Sequence, residues 1–129
     1  MKPKTPTLSH ESDGGIFPFH YGNEAEQYTF YRIPKLLFDD PYFGDLSTDA
    51  KVLYGLMLDR MSLSLKNGWM DEDGRVFIYF TAETIMEMLG CANGKCAKLL
   101  QELDTKSGIG LITRIKQGLG KPDVIYVHK

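Results

Sequence analysis

The stretch "TAETIMEMLGCANGKCAKLLQEL", residues 81–103, decides how the chain folds. Thr81 is a residue of N-cap type, whose hydroxyl can take one of the amide N–H groups that the first turn of a helix leaves unpaired. Ile85, Met86 and Leu89 follow at helical spacing, and Gly90 suits the left-handed residue that closes a helix. After a turn of about three residues, Asn93 opens a second helix that the pattern carries to about Lys106, where "SGIG" stops it. Two short helices joined so tightly, the first ending at glycine, predict a helix-turn-helix.

The second helix has two unlike sides. Cys96, Leu99, Leu100 and Leu103 share one stripe, which makes Cys96 a small buried hydrophobe and leaves Cys91 as a turn residue. The opposite face carries Gly94, Lys98, Gln101 and Thr105, with Lys95 and Glu102 on its flanks. Lysine and glutamine there can donate to phosphates or reach acceptors on base edges in a major groove. A plain solvated helix face has the same composition, so the neighbouring elements must discriminate.

Upstream, "LSTDAKVLYGLMLDRMSLSLKNG" (46–68) is the clearest helix of the chain. Ser47 is its N-cap, Asp49 lies in the first turn where the helix dipole favours an anion, and Gly68 follows its end. Ala50, Leu53, Tyr54, Met57, Leu58, Met61 and Leu65 define a core face. "MDEDGRVFIYF" (70–80) reads as a turn at Asp73-Gly74 feeding a strand from Val76 to Phe80. Downstream, "LITRIKQGLGKPDVIYVHK" (111–129) is two β-prone runs around a glycine-rich loop, a hairpin. Scaffold helix, strand, helix, turn, helix and hairpin make an α+β winged helix, with Asn93 to Lys106 as recognition helix and the 114–121 loop as wing. Arg114, Lys116 and Lys121 supply that wing with charge, and Gly118 and Gly120 allow close backbone approach to phosphates.

Length and composition set the bounds. The 129 residues, 43% of them hydrophobic, suffice for one core. Residues 1 to 26 are rich in Pro, Ser, Gly and acids and are expected to be a disordered tail, leaving residues 27–129 as the folded domain. "YTFYRIPKLLF" (28–38) is a dense apolar run broken by Pro34, expected to be extended and then to turn helically, and suited to packing on the scaffold helix or across a dimer axis. No apolar run approaches the roughly 18 residues of a membrane span, and no secretion signal opens the chain, so a cytoplasmic protein with reduced thiols is expected. The net charge of -2 hides an asymmetry: residues 1–90 hold 8 Lys and Arg against 14 Asp and Glu, whereas residues 91–129 hold 7 against 3. The basic end suits an anionic partner.

Catalytic and cofactor chemistry finds no foothold in the pattern. Cys91 and Cys96 could supply two zinc ligands at most, and His10, His20 and His128 contain no pair at ligand spacing. The spacing also departs from the C-x-x-C of a redox site. "QGLGKP" lacks the full phosphate-loop pattern and its strand-to-helix setting. Around "DEDG", a calcium loop would put Trp69 and Phe80 where oxygen ligands are required. With no Ser/His/Asp or Cys/His set either, a non-enzyme without metal or cofactor is expected.

"FYRIPKLLF", "LSTDAKVLYGLMLDRMSLSLKNGWMDEDGRVFIYFT" and "LLQELDTKSGIGLITRIKQGLGKPDVIYV", in this order over residues 28–127, resemble the N-terminal domain of the plasmid replication initiator A family of low-GC Gram-positive bacteria. "AKVLYGLMLDR" and the ending from Gly110 carry most of the likeness. The resemblance implies a winged helix that binds repeats in double-stranded DNA at a replication origin, usually as a homodimer, within a longer initiator whose C-terminal region recruits replication proteins. It places the recognition helix from Asn93 and the wing at Arg114 to Lys121. The "CANGKCAK" start departs from the Ser- and Thr-rich turn of relatives, so its base-reading contacts are its own. Because the chain stops at the second wing strand, an excised domain is expected. Sequence physics leaves two other readings open, a winged-helix transcription regulator and a winged-helix protein-interaction scaffold.

Overall fold

The computed structural model describes residues 17–22 and 29–129. The expected tail therefore lies outside the described residues, apart from residues 17–22, which are exposed.

Helix α2, Thr48–Asn67, forms the scaffold. Ser47 caps it as the sequence predicts, its Oγ accepting from the Ala50 N–H at 3.1 Å, and Gly68 closes it at φ 73°. A left-handed closing residue would strain any side chain with a Cβ, which is why glycine stands there. Ala50, Leu53, Tyr54 and Met57 are buried against the rest of the fold, whereas Leu65, expected on the same stripe, is 58% exposed. In the last turns of this 20-residue helix the side chain turned inward is Ser64, fully buried between the exposed Leu63 and Leu65.

Before α2, residues 29–34 form no regular element and cross its surface as a strap. The crossing is at Gly55, where a Cβ would meet Ile33 Cγ1 at 2.8 Å and the Arg32 carbonyl oxygen at 3.0 Å. A short helix α1, Leu36–Asp39, and a 3-10 turn, Pro41–Phe43, lead into α2 and bury Leu37 and Leu46 beneath them. The expectation of an extended segment followed by a helical turn therefore holds, and its packing partner within the chain is α2.

Helix α3, Ala82–Leu89, and helix α4, Asn93–Leu103, form the helix-turn-helix. Thr81 caps α3 through its Oγ1, and Gly90 closes it at φ 65°. Helix α4 ends at Leu103, short of the Lys106 expected from the pattern, because the chain folds back onto its last turn. Ile109 N–H donates to the Glu102 carbonyl, Leu111 N–H to Leu103, and Gly108 N–H to Asp104, at 2.8, 2.8 and 2.9 Å. Terminal carbonyls satisfied by a returning loop need no further turn of helix.

Three strands close the domain: β1 (Ile78–Tyr79), β2 (Ile112–Ile115) and β3 (Val124–Val127), antiparallel in the order β1-β3-β2. Strand β1 is shorter than the expected Val76 to Phe80, since Val76 pairs instead with Met70 across the 71–75 turn. That turn is tied to the sheet by Asp71, whose Oδ2 accepts from Arg75 Nε and Tyr126 Oη, both at 2.9 Å. Ile78 lies opposite Ile125, and both are buried with Ile85, Leu99, Leu103 and Ile112 between α2, the helix pair and the sheet. Among the described residues no helix is long and apolar enough to cross a membrane.

Candidate nucleic-acid interface

Helix α4 buries Cys96, Leu99, Leu100 and Leu103 in the core, so its remaining face is turned outward. On that face Asn93, Gly94, Lys98 and Gln101 are exposed, with the exposed Ala97 between them. Lys98 and Gln101 stand one turn apart, as i and i+3, and form the polar centre of the surface. Thr105 does not continue this row, because α4 ends before it: its N–H donates to the Ile112 carbonyl at 2.9 Å, and its hydroxyl lies 3.5 Å from Asp104 Oδ1.

Both flanking residues contact the start of the scaffold helix. Lys95 Nζ lies 2.5 Å from Asp49 Oδ2 with its side chain 53% exposed, and the hydrogen bond and the charge of that carboxylate hold the lysine's pKa above its ordinary value. Glu102 accepts from both the backbone N–H and the Oγ of Ser47, each at 2.8 Å. In a capping box the glutamate that serves the N-cap residue comes from the same helix. Here it comes from another helix, and the contact pins the outward face of α4 in a fixed orientation over α2.

The wing is the β2–β3 hairpin. Lys116 and Lys121 are exposed on either side of its tip, where Gly118 and Gly120 take φ 128° and 75°, and Leu119 between them is 102% exposed. The sequence offers no reason to single out Leu119 beyond its glycine neighbours. Arg114 behaves differently from these lysines. It shares the core side of β2 with Ile112, two residues before it, and its Nε and Nη2 both donate to Asp104 Oδ2, at 2.9 and 2.6 Å. A cleft of about 530 Å³ between the wing and the start of α3 is lined by Thr81, Glu83, Leu100, Arg114 and Lys121. The structure thus brings Asn93, Gly94, Lys98 and Gln101 onto one surface with the wing lysines beside it, while Lys95 and Arg114 are engaged in ion pairs within the fold.

Two carboxylates make this frame sensitive to acid. Burial pushes the Asp104 carboxyl upward, but the hydrogen bonds and charge of Arg114 and the Lys106 N–H outweigh it and hold the pKa below the usual range. Asp71 is also lowered, chiefly by the Arg75 backbone N–H. A carboxylate whose pKa falls on folding stabilises the fold above its unfolded value of about 3.9 and loses that contribution as pH falls through the folded value. Stability is therefore expected to change little through these two groups from pH 7 to about 5 and to decline below about 4. Denaturant midpoints across that range check this; Asp104→Asn should flatten the acid limb, and an unchanged limb would count against its role.

The chain matches the family of replication initiator protein A (RepA) N-termini over residues 29–129. A 41 kDa protein of Lactobacillus helveticus is 33% identical in an alignment of 104 positions that covers 76% of this chain and 29% of that protein. The chain therefore spans less than a third of the length of that curated relative. Among solved structures, an N-terminal domain of a DNA binding protein is similar with a TM-score of 0.66 and 33% identity, over 82% of this chain and 85% of that one. A chain from a structure of a Rep-DNA complex is similar with a TM-score of 0.62 and 36% identity, over 78% and 75%. A structure of an MDR initiator is similar with a TM-score of 0.64 and 34% identity, over 78% and 77%.

Proposed function

The chain belongs to the replication initiator protein A N-terminal family, and on that premise we propose that it is a non-enzymatic, sequence-specific double-stranded DNA-binding domain of a replication initiator, recognising repeats at a plasmid-type origin. The observation that carries the reading is the exposed row of Lys98 and Gln101 on a helix whose other sides are buried or pinned, with the wing lysines beside it. Helix α4 enters the major groove and reads bases through Lys98 and Gln101, with Asn93 and Gly94 close to the backbone. Lys116 and Lys121 hold phosphates flanking the site, and Leu119 at the wing tip has the chemistry to pack on the wall of the minor groove.

The domain works in the cytoplasm as a homodimer, and a region beyond this chain engages replication proteins. Support for the dimer is the exposed aromatic surface of Tyr31, Phe38 and Tyr42 around the strap and α1, far larger than a solvent-facing linker requires. The basic balance of residues 91–129, which carry both α4 and the wing, suits contact with nucleic acid.

Capture of genomic fragments, followed by titration of the best fragment in a salt series, tests the proposal. Fragments with tandem repeats beside an initiator gene are expected, bound by two chains per site. Log affinity should fall with log salt by roughly 0.9 for each phosphate neutralised. Scattered promoter fragments would instead favour a transcription regulator. Affinity indifferent to salt would rule out the DNA reading in favour of a protein-interaction scaffold.

A further inference from the structure

We infer that Asp104 is a positioning residue that sets the wing against the recognition helix, and that Arg114 serves this clamp instead of a phosphate; the inference rests on the DNA-binding reading above. Asp104 is the first residue past α4 and is buried. Its Oδ2 takes two donors of Arg114, its Oδ1 takes the Lys106 N–H at 3.3 Å, and its carbonyl takes the N–H groups of Gly108 and Gly110 at 2.9 and 3.2 Å. It is also bridged to Ile112, the first residue of β2. One side chain and its backbone thus join the end of the recognition helix, the loop that folds back on it, and the strand that runs into the wing.

Arg114 shows the same division of labour from the other side. Its register partner is Ile125 in the central strand, so it sits on the core side of a strand anchored in the sheet, two residues before the wing lysine Lys116. Its side chain is 27% exposed, against 6% for that of Asp104, and the contact uses two of its donors on a single carboxylate oxygen. A guanidinium committed to a buried carboxylate is a poor counterion for a phosphate, since leaving would strand the anion without its partner. The wing is therefore left with Lys116 and Lys121 as its free cations among the sequence-predicted three.

A protein that reads bases with a helix and grips the backbone with a wing needs the two at a fixed separation on the cognate site. Random DNA, held through phosphates alone, tolerates either arrangement. Loss of the clamp should then erode discrimination more than affinity.

The test compares the 129-residue chain with Asp104→Asn, Arg114→Gln, Arg114→Lys and the Asn/Gln double variant on the best captured duplex and on a random duplex, in a salt series with the active fraction read from stoichiometric titration. Each of Asp104→Asn and Arg114→Gln is expected to lower the ratio of site to random affinity about tenfold, and the double variant no further. Asp104→Asn should also steepen the salt slope on random DNA by about 0.9, because it frees a guanidinium, while Arg114→Gln leaves that slope unchanged. Arg114→Lys, with the charge kept and the fork lost, should recover part of the ratio. The clamp is overturned if Arg114→Gln weakens both duplexes equally with a shallower slope, which is the behaviour of a phosphate contact. It is equally overturned if the variants lose active fraction while ratio and slope stay at parental values. A parent that discriminates between no duplexes refutes the DNA reading itself, whereas a parent that discriminates alongside variants that match it refutes the clamp alone.

Discussion

Alanine at Gly108 is expected to lower folding stability by about 3 kcal/mol, at the upper end of what overpacking costs. A Cβ built at this position falls well inside van der Waals contact of the carbonyl oxygens of Gln101 and Glu102. These are backbone atoms of the last turn of α4, so no side chain can swing aside to make room. Relief requires pulling the 104–110 loop away, which breaks the Ile109-to-Glu102 and Gly108-to-Asp104 hydrogen bonds and uncovers the end of the helix that carries Gln101. The requirement is steric and not one of backbone dihedral, because Gly108 is absent from the residues with positive φ. Gly94 is the control: it is helical with nothing within 4 Å of its would-be Cβ, and alanine there should stabilise by about 0.5–1 kcal/mol. Urea midpoints for the two variants decide the matter, and a Gly108→Ala protein that unfolds at the parental midpoint would show that the loop does not lie so close.

Lys98→Ala and Gln101→Ala should each cost about 1–3 kcal/mol on the captured site, roughly a 5- to 150-fold loss of affinity, if each reads a base. Neither side chain has a partner in the hydrogen-bond or ion-pair network described above, so truncation leaves no buried group unsatisfied and folding stability should stay within about 0.5 kcal/mol. Binding and stability are thereby separated in one pair of variants. Their spacing of one turn on one face means that the double variant need not equal the sum of the singles. Lys121→Ala is the contrast: a phosphate contact weakens all duplexes alike and reduces the salt slope by about 1. Competition between the captured fragment and random DNA reads the difference, and equal losses on both duplexes for Lys98→Ala and Gln101→Ala would remove α4 from base reading.

Much of the architecture was legible because its signals act over a few residues. Ser47 and Thr81 cap their helices, Gly68 and Gly90 close them in the left-handed region, and the stripe of Cys96, Leu99, Leu100 and Leu103 is buried as its spacing requires. Where the pattern misled, the competing force came from residues distant in sequence. The helical pattern of α4 runs on past Leu103, but the returning 108–111 segment takes its last carbonyls and ends it, which separates Thr105 from Lys98 and Gln101. Leu65 keeps the spacing of the core stripe, yet it is 58% exposed while its neighbour Ser64 is fully buried, so the covered side of α2 at its last turn is the one that carries Ser64.

The order of elements, the helix-turn-helix and the outward polar face of α4 are determined by the sequence itself, since caps, glycines and apolar period are properties of neighbouring residues. Tertiary structure alone decided which charges are paired within the fold. Lys95, Lys98, Arg114 and Lys121 are alike as cations in the sequence, but Lys95 is drawn to Asp49 and Arg114 to Asp104, and Glu102 reaches across 55 positions to Ser47. An ion pair depends on where two side chains meet in space, and that meeting is set by packing the scaffold helix, the recognition helix and the wing around one core.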